Sequence, residues 1–237
     1  MRVAIFSDVH GNLPALEAVL RDIQQQQPDA VYCLGDLVGY APFANEVTER
    51  IRREGIPTIV GNYDDGVGFD REECGCAYRE ERDRMLGEQS FAWTKAHVTS
   101  DNKAFLRSLV KEIRFESDGK RLLLVHGSPR RVNEYLFEDR PPSSFERLAQ
   151  MSDADVIVFG HTHKPYVKRV AGVVFVNVGS VGKPKDGDPR TCYALLDTSG
   201  EVDVEFIRLS YDVAAVASAI RRSELPDEFA TAVEIAR

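Results

Sequence analysis

Several short apolar runs of this chain lead directly into side chains that can bind divalent metal ions. They end in Asp-x-His, Gly-Asp, Gly-Asn, a lone His and Gly-His-x-His. Carboxylates, imidazoles and an amide suit two hard or borderline divalent ions, with one carboxylate shared between them. Each signal alone is weak, because Asp-x-His arises by chance and Gly-Asp after a strand is often a turn. Together they predict a centre for two metal ions whose ligands are Asp8, His10, Asp36, Asn62, His126, His161 and His163.

The apolar runs indicate which elements position these side chains. The runs cover residues 3–6, 30–34, 57–60, 122–125, 156–159 and 173–176. Short, continuously apolar runs bounded by Gly, Asn and Asp are typical of strands buried on both faces. We therefore expect a parallel or mixed sheet in an α/β layer fold. Ligands collect at the carboxyl ends of the strands in such sheets, where the loops converge.

The segments between the runs complete the expected organisation. Asn12 can cap a helix, and a second helix over about 43–54 would complete two βαβ units. Residues 65–117 break this rhythm and are expected to form a helical cap or side layer, with helices near 80–98 and 101–109. Strands at 192–197 and 202–209 and helices near 212–222 and 227–236 follow. We expect a single domain over residues 1–237.

Composition limits the class of protein. With 237 residues, 43% of them hydrophobic, the chain can bury a sizeable core. A net charge of −8 argues against extended nucleic-acid binding, which needs Lys and Arg to neutralise phosphates. No run approaches the roughly 18 apolar residues of a membrane span, and no signal-peptide pattern is present, so we expect a cytoplasmic protein without membrane contact. A small phosphate substrate remains compatible with this charge, since bound metal ions reverse the local potential.

The four cysteines do not form the pattern of a disulfide-rich secreted domain. Cys33 and Cys192 are expected in strands as core thiols. Cys74-Gly75-Cys76 could serve a soft metal or redox chemistry, but no second cysteine pair completes a zinc site. We therefore favour a structural role for this pair.

In order and spacing, the ligand motifs resemble those of the calcineurin-like metallophosphoesterase superfamily over about residues 1–185. The resemblance implies a two-layer β-sandwich of mixed sheets flanked by helices, with both metals at the strand ends. It also implies that Asp36 bridges two ions, one held by Asp8, His10 and His163 and the other by Asn62, His126 and His161. Gly-Asn-Tyr-Asp, His-Gly-Ser-Pro and Asn-Val-Gly-Ser-Val-Gly look like the small stand-alone bacterial and archaeal phosphodiesterases of the superfamily.

One position departs from the family pattern. Tyr63 stands where the wider family has a histidine that helps to protonate the leaving group or stabilise the transition state. Tyrosine is a poorer acid, so Tyr63 is expected either to donate a hydrogen bond to a phosphoryl oxygen or simply to pack. Asp64 is expected either to orient a metal-binding histidine or to form an Asx turn. With Asp36 and Asn62, these residues are the catalytic candidates.

Candidate substrate-binding residues lie in loops near the predicted site. Asn12, Arg130 and Ser180 are the ones that we favour, and Arg131 and Arg190 are further arginines in these loops. A glycine-rich loop around Ser180 could line an anion pocket with its backbone N–H groups, or it could be a tight connection between strands.

The sequence therefore predicts a dinuclear metal-dependent phosphoesterase that acts on a small, nucleotide-like or other phosphate ester. By analogy with the family, a metal-bridging hydroxide attacks phosphorus, and we favour a diester over a monoester. Manganese is the first expectation for the metal, with iron, zinc or nickel as alternatives. The competing hypothesis is a non-catalytic interaction module on the same fold, as in the retromer subunit. A DNA-processing nuclease would need accessory domains and a basic surface.

Overall fold

In the computed structural model, which describes residues 1–78 and 80–237, nine strands form two mixed sheets. The first sheet has the order β2-β1-β8-β9, with strands β1 (Arg2–Phe6), β2 (Ala30–Cys33), β8 (Thr191–Asp197) and β9 (Asp203–Leu209). The second has the order β3-β4-β5-β7-β6, with strands β3 (Ile113–Ser117), β4 (Lys120–Leu124), β5 (Val156–Phe159), β6 (Tyr166–Val170) and β7 (Val173–Asn177). Only β1–β2, β4–β5 and β5–β7 pair in parallel. The expected mixed sheets are thus confirmed.

Alternating side chains of β1 divide the core into layers. Val3 and Ile5 face the second sheet and share a buried cluster with its residues Leu122, Leu124, Val156, Val158, Val174 and Val176. Ala4 and Phe6 point the other way, towards helices α1 (Leu13–Gln26) and α2 (Ala44–Glu54). This alternation follows from the two-residue period of a strand. On the far side of the second sheet, helix α6 (Pro142–Ser152) buries Phe145 and Leu148 against Ile157, Phe159 and Phe175.

Helix α1 begins as the sequence predicts. The Asn12 side-chain oxygen accepts a hydrogen bond from the Ala15 backbone N–H at 3.2 Å, and a proline lies in the first turn. Leu16, Val19 and Ile23 are buried at helical spacing. The helix ends at Gln27, whose left-handed backbone returns the chain to the sheet.

The predicted strand at residues 57–60 is wrong. The segment forms only two isolated bridges, Cys33 to Thr58 and Ile59 to Val110. Pro57 has no N–H to donate to a ladder, and directly after Gly61 the chain enters helix α3 (Asn62–Gly68). The short apolar run therefore bridges two neighbours without forming a regular strand.

The expected helical segment is present between the two halves of the chain. Helices α4 (Glu81–His97) and α5 (Ser100–Ser108) follow α3, and Phe91 and Leu106 share a hydrophobic cluster with Phe6 of β1. Helices α7 (Val213–Arg222) and α8 (Glu228–Ile235) pack on each other and on Ala41. Within the described residues, every helix is too short or too polar to cross a membrane.

Candidate metal centre

The structure brings all seven predicted metal ligands together at the ends of four strands and the start of one helix. Asp8 and His10 follow β1, Asp36 follows β2, His126 follows β4, and His161 and His163 follow β5. Asn62 is the first residue of α3. All seven side chains are buried. The loops after β1 and β2 are tied together by backbone hydrogen bonds from Asp8 to Gly35 and from His10 to Asp36, each of 2.9 Å.

Two groups of ligand atoms form within this cluster. In the first, Nε2 of His163 lies 3.2 Å from Oδ1 of Asp8, and Nε2 of His10 lies 3.7 Å from the same oxygen. In the second, Nε2 of His126 lies 3.4 Å from Oδ2 of Asp36 and 3.2 Å from Nδ1 of His161. Each group offers one carboxylate and two imidazoles, which suits a borderline divalent ion.

Asp36 lies between the two groups. Its Oδ2 is 3.4 Å from Nε2 of His126 and 3.7 Å from Nε2 of His10, which belong to different groups. Oδ1 of Asn62 lies 3.2 Å from His126 Nε2, so the amide joins the second group. This arrangement agrees with the implied roles of Asp36 as a shared ligand and Asn62 as a ligand of one ion.

Backbone carbonyls fix the orientation of three of the imidazoles. Nδ1 of His10 donates to Val38 at 3.0 Å, and Nδ1 of His163 donates to Lys183 at 2.6 Å. Nδ1 of His126 makes the same kind of bond to Leu34 at 2.8 Å. Because a carbonyl can only accept, each Nδ1 carries hydrogen and each Nε2 faces the centre, as in many metal-binding histidines.

The donor set fits bound cations. Burial lowers the pKa of both His10 and His163, the latter to about 3, so both rings are neutral. Their Nε2 lone pairs nevertheless face each other at 3.2 Å. Oδ1 of Asp8 is also buried and makes no hydrogen bond within the described part of the chain. Acceptors that converge without a donor need a positive charge between them.

The remaining ligands differ in protonation in the metal-free protein. Burial lowers the pKa of His161 to about 3. Burial acts in the same direction on His126, but the Asp36 carboxylate outweighs it and raises the pKa of His126 to about 10. The centre thus contains one imidazole that a metal ion must deprotonate.

The backbone at the ligands adopts an uncommon conformation. Asp8, His10, Asp36, His161 and His163 have φ values of 55°, 48°, 53°, 63° and 61°. This left-handed region is sparsely populated by residues other than glycine, although Asp and His enter it more readily than most. Such strain tends to concentrate at functional sites, where surrounding structure maintains it. In this protein, five of the seven predicted ligands have this left-handed backbone conformation.

Two glycines make room for the carboxylates. A Cβ on Gly160 would lie 2.4 Å from Oδ2 of Asp8, and one on Gly61 would lie 2.0 Å from Oδ1 of Asp36. The same oxygens accept backbone hydrogen bonds, from His161 at 2.9 Å and from Tyr63 at 2.8 Å. The Gly-Asn and Gly-His motifs therefore place a backbone donor beside each carboxylate and leave space for it.

Asp64 makes its hydrogen bonds to backbone N–H groups and, among the described residues, to no histidine. Its Oδ1 accepts from the Leu37 backbone N–H at 2.9 Å and its Oδ2 from the Gly61 N–H at 3.1 Å. Burial and the nearby Asp36 raise the pKa of Asp64 to about 7. Asp64 therefore fixes the loop that carries Asp36 to the start of α3.

Tyr63 adopts the packing alternative. Its side chain is only 1% exposed, and its ring makes edge contacts with His10 and Phe91. The hydroxyl lies 3.5 Å from the carbonyl of Gly87. Burial raises the pKa of Tyr63 well above its ordinary value. The ring packs against the metal ligand His10, and Tyr63 also borders the small space among the metal ligands.

The geometry does not support the expected substrate contacts of Asn12, Ser180 and Arg130. Asn12 caps α1 and donates to the Gly182 carbonyl and to the hydroxyl of Tyr211. Ser180 is fully buried, donates to the Asp8 carbonyl and accepts from the Lys183 N–H. Arg130 pairs with Glu134. Their polar groups make hydrogen bonds or an ion pair within the protein. Each residue thereby stabilises a loop that leads to the site.

Arg131 and Arg190 also make contacts within the protein. The Arg131 backbone N–H donates to the Ser128 hydroxyl, and Arg190 pairs with Asp188. Cys74 and Cys76 form a disulfide, and Sγ of Cys76 lies 3.3 Å from Nδ2 of Asn62. Asn62 also donates to the Cys74 carbonyl at 3.1 Å, which leaves its oxygen facing His126. The cysteine pair thus positions a predicted ligand.

The sequence analysis missed a group of residues beside the ligands. The ring of Tyr135 lies 4.0 Å from that of His161, and the ring of Tyr40 lies 4.9 Å from that of His10. Lys183 and Lys185 come from the loop after β7. The signal was present, since Gly182-Lys-Pro-Lys follows the glycine-rich loop that drew attention to Ser180.

These residues border a cleft of about 1230 Å³. Tyr40, Tyr135 and Lys185 line both this cleft and a space of about 10 Å³ among the metal ligands. The smaller space has no room for an organic molecule. A substrate must therefore approach the centre from the cleft.

Comparison with known proteins agrees with the fold and the site. Residues 1–201 match the family model of the calcineurin-like phosphoesterase superfamily domain, and the chain belongs to this superfamily. An uncharacterized protein of Methanocaldococcus jannaschii is 32% identical over 95% of this chain and 94% of its own length. The phosphodiesterase YfcE of Escherichia coli is 29% identical over 83% of this chain and 88% of its own.

A solved structure supports the same assignment. The crystal structure of a metallophosphoesterase from Sphaerobacter thermophilus has a TM-score of 0.79 and 30% sequence identity, covering 100% of this chain and 99% of that one. The expected family is therefore confirmed, and the chain has the architecture of a metallophosphoesterase.

Proposed function

We propose that the protein is a dinuclear metal-dependent phosphodiesterase that hydrolyses small phosphate esters. The observation that carries this proposal is the convergence of seven buried ligands, among which Nε2 of His10, Nε2 of His163 and Oδ1 of Asp8 face one another without a donor between them. The order and chemistry of the ligands are those of the superfamily, and the relative in Escherichia coli is named a phosphodiesterase.

Each ligand group is suited to one ion. Asp8, His10 and His163 would hold the first and Asn62, His126 and His161 the second, with Asp36 serving both. When bound, two divalent ions supply a nucleophile from water at neutral pH and neutralise charge on the phosphoryl oxygens. Manganese is our first choice, and iron, zinc and nickel also suit the mixed nitrogen and oxygen donors.

The chain itself supplies orientation and a charged approach. The carbonyls of Val38, Leu34 and Lys183 hold three imidazoles in place, so little reorganisation is needed when ligands engage. Lys185 lies at the mouth of the ligand cluster, where it can draw an anionic ester towards the centre. Burial of Tyr63 leaves it a role in supporting His10 and not in proton transfer.

A non-catalytic interaction module is the alternative. Loss of ligands would favour it, but the chain retains all seven and arranges them in two groups. The net charge of −8 also gives little support for a nuclease that binds extended DNA.

Hydrolysis of model esters tests the proposal. Metal-stripped protein would be given manganese, nickel or zinc and assayed with bis-p-nitrophenyl phosphate and p-nitrophenyl phosphate. We expect metal-dependent turnover that is faster on the diester, absent in Asp36→Ala and retained in Asp101→Ala, which removes an exposed carboxylate on α5. Faster monoester hydrolysis would overturn the diester preference. Stoichiometric metal binding without any turnover would overturn the catalytic role.

A further inference from the structure

Lys183 is a buried lysine whose charge has no partner in the described part of the chain. Its side chain is 8% exposed, and Nζ lies 4.6 Å above the ring of Tyr40. Among the described residues, no carboxylate lies within 4.0 Å of Nζ. Buried lysines are rare unless they are paired. A ligand anion in the cleft would provide the missing partner.

Lys185 extends this positive region to the metal ligands. It lines the small space that contains His10, Asp36 and His163, and it lines the cleft together with Lys183. It too has no carboxylate within 4.0 Å in the part of the chain described here. The two lysines are therefore placed next to a phosphoester bound at the metal centre.

The other charged groups of the cleft lie on different elements. Burial lowers the pKa of both lysines. Asp83, an exposed residue of α4 that pairs with neither lysine, acts in the opposite direction, as do the carboxylates of Asp8 and Asp36 on Lys185. Glu228 of α8 is paired with Arg82. Glu138, Asp139, Arg237 and the exposed Lys164 complete the charged lining. Of the charged residues of the cleft, Lys185 also borders the small space among the metal ligands.

Aromatic rings form the walls beside the lysines. Tyr135 contacts His161, with ring centroids 4.0 Å apart, and Phe137, with ring centroids 5.8 Å apart. Phe229 contacts Tyr40 at 5.1 Å. Phe229 belongs to α8, which lies beyond the residues 1–201 that match the family domain. The cleft is therefore completed by a helix that the family model does not cover.

We propose that Lys183 and Lys185 bind a second phosphate of the substrate, beside the phosphoester held at the metal centre, while the tyrosines contact a nucleobase. The substrate class is then a nucleotide ester that carries an additional phosphate group. This inference rests on the proposed function for the identity of the reacting ester. It adds the anion subsite and the recognition of the rest of the molecule.

Binding of two related nucleotides tests the subsite. Calorimetry on manganese-loaded protein would compare thymidine 3′,5′-bisphosphate with thymidine 5′-monophosphate, which differ only in the second phosphate. We expect the bisphosphate to bind at least about tenfold more tightly, the effect of a charge-assisted contact. Lys183→Met and Lys185→Met should each reduce this preference at least about threefold. Lys111→Met, which removes an exposed lysine, should retain it.

The outcomes separate this inference from the proposed function. Equal affinity for both nucleotides, or a preference that persists in both lysine variants, would overturn the subsite even if bis-p-nitrophenyl phosphate is hydrolysed. A lysine-dependent preference without hydrolysis of any ester would support the subsite and overturn the proposed function. Thermal unfolding of each variant checks that it is folded. If a variant is not folded, the preference of the wild-type protein for the bisphosphate still tests the subsite.

Discussion

Nε2 of His10 lies 3.2 Å from Nε2 of His163, although each ring donates its Nδ1 hydrogen to a backbone carbonyl. Two neutral imidazoles in this arrangement direct lone pairs at each other. Oδ1 of Asp8 lies 3.2 Å from the same His163 nitrogen. The contact becomes favourable when a cation lies among the three atoms. Because His10 and His163 lie on loops that are distant in the sequence, the arrangement of these two loops is coupled to metal binding.

Gly160→Ala should abolish tight metal binding at the first group. The added Cβ would lie 2.4 Å from Oδ2 of Asp8 and 2.3 Å from the hydroxyl oxygen of Ser7, so the carboxylate must move. Displacement of a ligand by an ångström is enough to disrupt a metal site. Metal content after dialysis would measure the effect. Gly200→Ala is the matched control because its Cβ would meet nothing within 4 Å. Full metal content in Gly160→Ala would contradict the assignment of Asp8.

Metal binding should release a proton from His126. Asp36 raises the pKa of His126 to about 10 in the metal-free protein despite burial, so the ring is protonated at neutral pH. A metal ion and a proton compete for the same nitrogen of His126. The affinity for the metal ion should therefore increase by about tenfold for each pH unit between roughly pH 6 and pH 8. Calorimetry in buffers of different ionisation enthalpy would count the protons. Affinity independent of pH would show that His126 is not a ligand.

Tyr63→Phe should leave the chemical step largely intact. The tyrosine ring is buried against His10, and its hydroxyl lies beside the Gly87 carbonyl. We expect kcat to fall by less than about tenfold, whereas loss of a general acid typically reduces the rate by 10²–10⁴. The assay should use a dinucleotide as substrate. Its alkoxide leaving group needs protonation more than the nitrophenolate of the model esters does. A decrease in the range of a lost general acid would restore Tyr63 as a catalytic residue.

Ser180→Ala should reduce stability and not substrate binding. The hydroxyl donates to the Asp8 carbonyl at 2.8 Å and accepts from the Lys183 N–H at 2.9 Å in a fully buried position. Its removal leaves the buried Lys183 N–H without this partner, whereas the Asp8 carbonyl still accepts from the Gly182 N–H at 2.9 Å. We expect a loss of roughly 1–3 kcal/mol in the free energy of unfolding. Urea unfolding would measure this, with Ser143→Ala as the exposed control. A raised KM with unchanged stability would instead support the original expectation of a substrate contact.

The sequence predicted the strands that carry the ligands because each contains a short, continuous apolar run, even where the strand is only partly buried, as in β2. All four residues of β5 are fully buried, so its apolar run is uninterrupted. The edge strands β3 and β6 were missed, since exposed charged residues such as Arg114 and Arg169 interrupt them. An edge strand needs only one buried face, and its pattern is correspondingly weaker.

The same distinction applies to the site. Each metal ligand immediately follows a strand or begins a helix, so a local motif was enough to find it. The cleft joins Tyr40, Tyr135, Lys185 and Phe229, which lie on four separate segments and follow no common motif. The expectation that Ser180 contacts substrate shows the same limit of local sequence motifs. Sequence proximity to the loop did not show that its hydroxyl is used by the backbone of Asp8 and Lys183.

Hydrolysis measured against metal equivalents tests the central claim most directly. Metal-stripped protein would be titrated with manganese and assayed with bis-p-nitrophenyl phosphate, beside Asp36→Asn. If the two ligand groups form a dinuclear centre that Asp36 joins, turnover should increase until two ions per chain are bound and should be lost in Asp36→Asn. Turnover by metal-free protein, or full activity in the variant, would contradict the account.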